Sequence, residues 1–319
     1  MKRRAFLAAG LLAPWGLRAQ PRYPERPIRL VVPFAPGGDG DIIARLWTRY
    51  ATPLLGGAVV VENKAGAGGA IGAAEVARAR GDGYTLLLGT TTTQIINPAT
   101  QDTAPYDPIR DFVLIGMLSM NPTCIIASPA LGVSTLQELV ALIRANPGKY
   151  AYGSAGPGTI TNLTGELFKL QAGGLQMQHV PYKGGAPAMQ DLIAGHIPVI
   201  TPIVSSAVLA QHRAGKAKIL GINSTARLKA APEIPTSVEA GVPEMRVQVF
   251  NALFAPHETP SAAIGTLKSV TARVKSDAAF LADLEKAGAE PFTGDEAGFM
   301  ADEVRRWSAV IKATGFRIQ

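Results

Sequence analysis

The sequence predicts an α/β protein with two lobes, each a mixed, mostly parallel β-sheet flanked by helices. Its 319 residues exceed one typical core and suit two domains. Short apolar runs, typical of buried strands, alternate with helical patterns along the chain. The order strand, glycine turn, helix, strand, lysine–glycine turn, helix, strand also occurs twice. The spacing from Gly37 to Lys64 is 27 residues, as is that from Gly156 to Lys183, which indicates two lobes built alike.

The first unit begins with the strand-like run Leu30–Val32, followed by a proline-rich turn at Gly37 and Gly38. Either Asp39 or Asp41 could cap the helix that follows. A bare turn between a strand and a helix presents unpaired N–H groups and the positive end of the helix dipole, so this turn predicts an anion site. An ordinary βα turn is the alternative. The predicted inner face of the helix contains Ile43, Leu46, Trp47, Tyr50 and Leu54.

The second unit begins with the strand-like run Lys149–Tyr152 and a small-residue turn, Gly153–Thr159. Between the two units, the long apolar run Phe112–Ser128 is broken at Asn121 and Pro122, which predicts two strands passing from the first lobe to the second. Further predicted strands are Ala58–Val61, Tyr84–Leu88, Met177–Val180, Ile197–Ile200, Ala217–Asn223 and Arg246–Ala255.

Helix starts and faces are predicted from capping residues and periodicity. Ser134 and Gln137 have the spacing of a capping box, and Pro260 suits the first position of a helix. The helix Thr161–Leu170 is expected to place Leu163, Leu167 and Leu170 on one face, and Asp295–Lys312 to bury Phe299, Val304, Trp307 and Ile311.

The first 19 residues have the pattern of an export signal. Lys2, Arg3 and Arg4 precede a short apolar run, which is close to a twin-arginine signal. Removing residues 1–19 takes away these charges and Arg18, so the formal net charge falls from +7 to +3. No dense basic cluster remains to suggest nucleic acid as a partner. With Cys124 as the only cysteine, no intrachain disulfide can form. We therefore expect a soluble periplasmic monomer.

Cofactor, metal and enzyme signals are weak. The glycines from Gly66 onward fail the dinucleotide pattern because Ile71 occupies the third glycine position, so no cofactor is expected. The four histidines are far apart and predict no metal site. Ser154 lies in a turn similar to a nucleophile elbow, but Tyr152 replaces the first glycine. A secreted serine hydrolase that uses Ser154 is thus the alternative function.

Several long motifs resemble one family. The segments VVPFAPGGDGD, VVVENKAGAGGAIGA and HVPYKGGAPAMQDLIAGHI are similar to those of the Bug proteins, the solute-binding proteins of tripartite tricarboxylate transporters. Matches extend from about residue 23 to the C-terminus. Further matching segments are Asp82–Gly89, Tyr106–Phe112, Gly153–Gly158 and Pro235–Gly241.

The resemblance implies a two-lobed periplasmic binding protein fold of type II that closes over a small mono-, di- or tricarboxylic acid without catalysis. A membrane permease or a sensor is the implied partner. Lobe 1 is predicted to comprise residues 20–122 and 225–319, and lobe 2 residues 123–224. The ligand carboxylate is implied to lie between the turns Ala35–Asp41 and Ser154–Thr159. The predicted ligand-binding residues are Phe34, Ala35, Pro36, Gly37, Gly38, Asp39, Asp41, Thr90, Thr91, Thr92, Ser154, Ala155, Gly156, Gly158, Thr159, Asn162, Tyr182 and Thr201.

The chain departs from the family pattern at three places. Asn162 stands where the family often has histidine, and Phe250 where it has tryptophan near the second hinge. The strand after Gly195 usually carries acidic residues, which this chain lacks. Because an acid there could pair with an amine, its absence disfavours an amino acid as the ligand.

Overall fold

A computed structural model describes residues 23–100 and 105–314. The predicted signal peptide lies outside the described residues. The strands are β1 (Ile28–Val32), β2 (Val59–Asn63), β3 (Thr85–Thr90), β4 (Phe112–Pro122), β5 (Cys124–Ala127), β6 (Ala151–Ser154), β7 (Gln178–Pro181), β8 (Val199–Ile200), β9 (Lys218–Ile222), β10 (Gln248–Pro256) and β11 (Glu290–Pro291).

The helices alternate with these strands, as the sequence predicts. They are α1 (Asp39–Leu55), α2 (Ala70–Ala77), α3 (Asn97–Thr100), α4 (Leu136–Ala145), α5 (Ile160–Gln171), α6 (Gly185–Ile193), α7 (Ser206–Arg213), α8 (Ser261–Ser276), α9 (Ala278–Lys286) and α10 (Glu296–Thr314). No helix in the described ranges is long and apolar enough to span a membrane.

Two mixed sheets form the two lobes, and their central strands are arranged alike. The first sheet has the order β2-β1-β3-β10-β4-β11 and the second β7-β6-β8-β5-β9. β1 pairs in parallel with β2 and β3, and β6 pairs in parallel with β7 and β8. An antiparallel strand follows in each case, β10 beside β3 and β5 beside β8. The predicted repeat of the two units is therefore confirmed, whereas the exact lobe boundaries stay a prediction.

The chain passes between the lobes at two adjacent points. Thr123 alone separates β4 from β5, and its N–H donates to the carbonyl of Val247 at 2.9 Å. The residues between β9 and β10 still pack on the second sheet, for example Leu228 and Met245, so the chain returns to the first lobe at Val247, just before β10. Both crossings are thus tied together by a backbone hydrogen bond. The predicted break near Asn121 and Pro122 is confirmed, and it marks the hinge.

Apolar clusters cover both faces of each sheet. Trp47 on α1 and Phe280 on α9 pack on one face of the first sheet. Phe250 and Trp307 pack on the other face, together with Leu163 of the second lobe. Two face predictions were wrong. Leu170 is 57% exposed and Val304 is 37% exposed, whereas the buried positions of α10 include Glu303 and Trp307.

Three predicted helix caps were wrong by one or a few residues. Thr135, not Ser134, caps α4: its Oγ1 accepts the N–H of Glu138 at 3.1 Å. Pro260 is the N-cap of α8 and not its first helical residue. At α1 the N-cap is Gly38, which has no side-chain capping bond. Several neighbouring residues could serve as the N-cap of a helix, and the sequence alone does not give the backbone angles that decide between them.

Candidate functional site

A cavity of about 210 Å³ lies between the lobes. The first lobe contributes the turn before α1 and the residues after β3. The second lobe contributes the starts of α5, α6 and α7. Eight predicted ligand-binding residues line the cavity: Phe34, Gly37, Gly38, Asp39, Thr90, Thr92, Ala155 and Thr159. The two turns singled out in the sequence therefore share one crevice.

Four helices begin at this cavity, but only two of them carry a side-chain cap. Thr159 caps α5 by accepting the N–H of Asn162 at 3.2 Å, and Ser205 caps α7 by accepting the N–H of Val208 at 3.3 Å. By contrast, α1 and α6 begin after glycines with no capping side chain. The first N–H groups of a helix have no partner within it, so those of the α1 start, and those of Gly185 and Ala186 before Pro187 in α6, remain available to a bound anion.

The two uncapped helix starts face each other across the cleft. A β-carbon added to Gly37 would lie 3.7 Å from the Cβ of Ala186, and one added to Gly184 would lie 3.1 Å from the Cβ of Ala35. Gly184 also has a φ of +147°, a conformation that side chains strongly disfavour. Glycine at this position allows the starts of α1 and α6 to approach closely.

The serine–glycine turn of the second lobe is largely bonded to itself. The N–H of Gly156 donates to Ser154 Oγ, and the N–H of Gly158 donates to Asn162 Oδ1, both at 3.2 Å. The N–H of Ile160 donates to Thr92 Oγ1 of the first lobe at 3.1 Å. This turn therefore offers fewer open N–H groups than the sequence suggests.

Ten of the predicted residues lie outside the cavity lining: Ala35, Pro36, Asp41, Thr91, Ser154, Gly156, Gly158, Asn162, Tyr182 and Thr201. All six polar side chains among them have structural partners, as three examples illustrate. Thr91 Oγ1 accepts the N–H of Phe250 at 3.1 Å. The Tyr182 hydroxyl donates to Asp191 at 2.8 Å, and Thr201 Oγ1 donates to the carbonyl of Thr161 at 2.7 Å. Their contact with a ligand stays a prediction.

Asp41 organises the turn before α1. Its Oδ2 accepts the N–H of Gly37 at 3.0 Å, and Arg45 pairs with both carboxylate oxygens. Burial by itself would raise the pKa of Asp41, but the hydrogen bonds from Arg45 and Gly37 outweigh it and hold the pKa below its usual value. Asp41 thus stays ionised and fixes the shape of the turn.

Asp39, two residues earlier, lines the cavity and is only 7% exposed. Its Oδ2 accepts a hydrogen bond from Asn251 Nδ2 at 3.0 Å, whereas its Oδ1 has no protein partner. Burial raises the pKa of Asp39 to about 7, opposed by the hydrogen bond from Asn251. Within the described chain, no lysine, arginine or histidine lines the cavity with it.

Sequence reasoning missed the cavity-facing side of α6 and α7. Met189, Gln190 and Ile193 extend from α6 and Val208 and Gln211 from α7 into the lining. Helical spacing places these residues on one side of each helix. However, the apolar pattern does not distinguish a side that faces a cavity from one that faces the core. The lysine of the turn before α6, Lys183, is exposed and outside the lining.

Ser154 has a histidine neighbour, as a hydrolase would need. Its Oγ lies 2.7 Å from His179 Nε2, and burial lowers the pKa of His179. Yet Ser154 is 2% exposed, donates to the carbonyl of Gly156 and lies outside the cavity lining. The described residues contain no group of three side chains able to hold a metal ion.

Comparison with known proteins gives consistent matches. The family model described as "Tripartite tricarboxylate transporter family receptor" matches residues 43–316. Protein BugT of Bordetella pertussis is 35% identical over 321 residues, which cover 98% of this chain and 96% of BugT.

Solved structures of periplasmic binding proteins have the same fold. The structure of BugD is 33% identical, has a TM-score of 0.88, and the match covers 93% of this chain and 100% of BugD. An R. palustris protein with adipate is 30% identical with a TM-score of 0.88, covering 92% of this chain and 99% of that one. MatC from Rhodopseudomonas palustris, with bound malate, is 28% identical with a TM-score of 0.84. The match covers 91% of this chain and 100% of MatC.

Proposed function

Because this chain belongs to the tripartite tricarboxylate transporter receptor family, we propose that it is a periplasmic solute-binding protein that captures a small carboxylate between its lobes. It would deliver this ligand to a membrane permease or present the closed form to a sensor. Residues 1–19 would direct its export. The ligand would be held without chemical change.

The observation that carries this proposal is the meeting of two uncapped helix starts at one cavity. The N–H groups at the starts of α1 and α6 face each other across about 210 Å³ of space. Each charge-assisted hydrogen bond to a carboxylate contributes roughly 1.5–3 kcal/mol, and the helix dipoles favour the same charge. Since backbone N–H groups do not titrate, binding through them would persist over a wide pH range.

The rest of the cavity suits a compact acid with an apolar body. Met189, Ile193, Pro202 and Val208 supply apolar surface, and hydroxyl groups such as that of Thr90 supply a few polar contacts. Two similar proteins were solved with adipate and with malate, which are both small acids. Selectivity among acids would come from these side chains, because backbone N–H groups recognise only the carboxylate.

A thermal-shift screen tests the proposal. Purified protein is heated with adipate, malate, succinate, benzoate and citrate, and with the neutral amides of these acids as matched controls. A ligand present at one hundred times its Kd should raise the melting temperature by roughly 5 °C. The amides should have little effect, since they offer no negative charge to the helix starts.

The serine hydrolase is the competing outcome. If no carboxylate shifts the melting temperature, while the protein turns over an activated ester and loses that activity on Ser154→Ala, the binding proposal is wrong. The buried position of Ser154 outside the cavity lining argues against that result.

A further inference from the structure

Asp39 is the one ionisable residue in the described cavity lining, and its hydrogen bonds are incomplete. Asp39 is more than nine-tenths buried. Asn251, which is not part of the lining, donates to Oδ2 at 3.0 Å, and Oδ1 has no partner in the described protein. A buried carboxylate oxygen without a partner is costly. A ligand without a hydrogen-bond donor would leave Oδ1 of Asp39 unpaired and this cost unchanged.

Charge balance limits what the donor can be. A ligand carboxylate at the starts of α1 and α6 brings one negative charge into a cavity whose described lining has no cationic side chain. An ionised Asp39 beside it would add a second negative charge in a poorly solvated space, which is strongly unfavourable. A positive group on the ligand itself would neutralise Asp39 and supply the missing donor.

We propose that Asp39 binds a protonated amine on the ligand, so that the captured molecule is a zwitterion with a carboxylate and an ammonium group. This inference rests on the proposed carboxylate-binding function and narrows its ligand class. The helix starts hold the carboxylate, and Asp39 of the first lobe holds the nitrogen. The missing acidic residues after Gly195 do not exclude an amine, because α1 supplies the acid instead.

Other titratable groups on the surrounding helices are engaged elsewhere. On α1, Asp41 pairs with Arg45. On α6, Asp191 accepts from Tyr182 and pairs with the exposed His196.

On the remaining helices, Glu166 of α5 pairs with Lys169, and His212 of α7 accepts the N–H of Ile219. Asn251 of β10 is neutral. Burial and the Asn251 hydrogen bond therefore govern the pKa of Asp39. An ammonium ligand favours the ionised form, so binding should release a proton near neutral pH.

Matched ligand pairs provide the first test. Isothermal titration compares leucine with isocaproate, aspartate with succinate, and phenylalanine with hydrocinnamate, which share carbon skeletons but differ in the amino group. At least one amino acid should bind ten or more times more tightly than its partner acid. Equal affinity in every pair, or a preference for the plain acids, would overturn the inference.

The variant Asp39→Asn keeps the shape of the side chain and removes its charge. Its affinity for the preferred amino acid should fall at least tenfold, while its affinity for the matched plain acid should stay level or rise. Glu258→Gln, an exposed residue outside the cavity lining, makes the same charge change and should alter neither affinity. If Asp39→Asn weakens both ligands equally, the residue only supports the fold.

Proton exchange gives a readout that does not depend on a variant. From about pH 6 to about pH 8, affinity for the amino acid should rise about tenfold as Asp39 of the free protein ionises. Proton uptake and falling affinity would mean instead that a protonated Asp39 donates to the ligand, and the inference would be wrong. If plain acids bind and amines add nothing, this inference fails alone; if neither class binds, the proposed function fails as well.

Discussion

Asp39 and Asp41 are two residues apart on the first turn of α1, yet their environments shift their pKa values in opposite directions. Burial dominates at Asp39 and raises its pKa to about 7. At Asp41, hydrogen bonds from Arg45 and Gly37 outweigh burial and lower the pKa. One carboxylate therefore shapes the turn, while the other keeps one oxygen without a hydrogen-bond partner in the described protein.

The raised pKa of Asp39 predicts how stability changes with pH in the ligand-free protein. The pKa of Asp39 is about 7 in the folded protein and near 3.8 in the unfolded chain. The folded protein therefore binds the proton more tightly, and the stability gained in this way is complete below about pH 4. As the pH rises from about 4 through about 7 this gain is lost, which lowers the free energy of unfolding by up to about 4 kcal/mol. Denaturant unfolding of wild type and Asp39→Asn should give curves that diverge over this range, with the wild type losing stability. Parallel curves would show that Asp39 ionises without penalty.

Partners distant in sequence explain why the role of Asp39 could not be predicted. Asn251 is 212 residues away, and the sequence assigned it only to a strand. The turn itself was predicted, because glycines between a strand and a helix have a local physical meaning. The predictions made for Tyr182 and Asn162 rested on the family resemblance and on their positions near the turns, whereas the structure gives both side chains partners inside the second lobe.

At the scale of elements, the start of α4 distinguishes two neighbouring candidate caps. Thr135 accepts the N–H of Glu138, whereas Ser134 accepts a surface hydrogen bond from Lys218. Thr135→Ala should lower the free energy of unfolding by about 1 kcal/mol, and Ser134→Ala should lower it much less. Denaturant titration measures both variants. The reverse order would place the cap at Ser134, where the sequence predicts it.

Most elements were predictable because each has a local pattern. The strands and their alternation with helices follow from short β-branched runs, and the break before Cys124 follows from Asn121 and Pro122. The pairing of β10 between β3 and β4 was not predictable in detail, since antiparallel partners far apart in sequence leave no local mark. The availability of the α6 start was missed for a related reason. Only the fold reveals that Gly184 lies against Ala35.

At the scale of the whole molecule, the structure has the two lobes in contact. Thr92 of the first lobe bonds the start of α5, and Gly68 lies against Pro157. The paired backbone crossings at Thr123 and Val247 form a short hinge. Opening would therefore separate these contacts by rotation about the hinge, with each sheet unchanged.

Gly68 offers a test of closure. A β-carbon there would lie 2.8 Å from the carbonyl oxygen of Pro157, and its φ is +61°. Gly68→Ala should reduce ligand affinity at least tenfold, because the added carbon obstructs the closed state. Gly148 has a similar φ of +76°, but an added β-carbon there would have no atom within 4 Å. Gly148→Ala should therefore lower the free energy of unfolding by ~1 kcal/mol, as the backbone strain at Gly68 should, and leave ligand affinity intact. Titration calorimetry and denaturant unfolding compare the two, and equal affinities would mean that closure tolerates the contact.

The absence of lysine, arginine and histidine from the described cavity lining has a consequence for where such a protein can work. Dissolved salt weakens attraction between water-facing ions, but it hardly reaches peptide dipoles enclosed by protein. We therefore expect the affinity for a carboxylate to change little between low and high salt concentration.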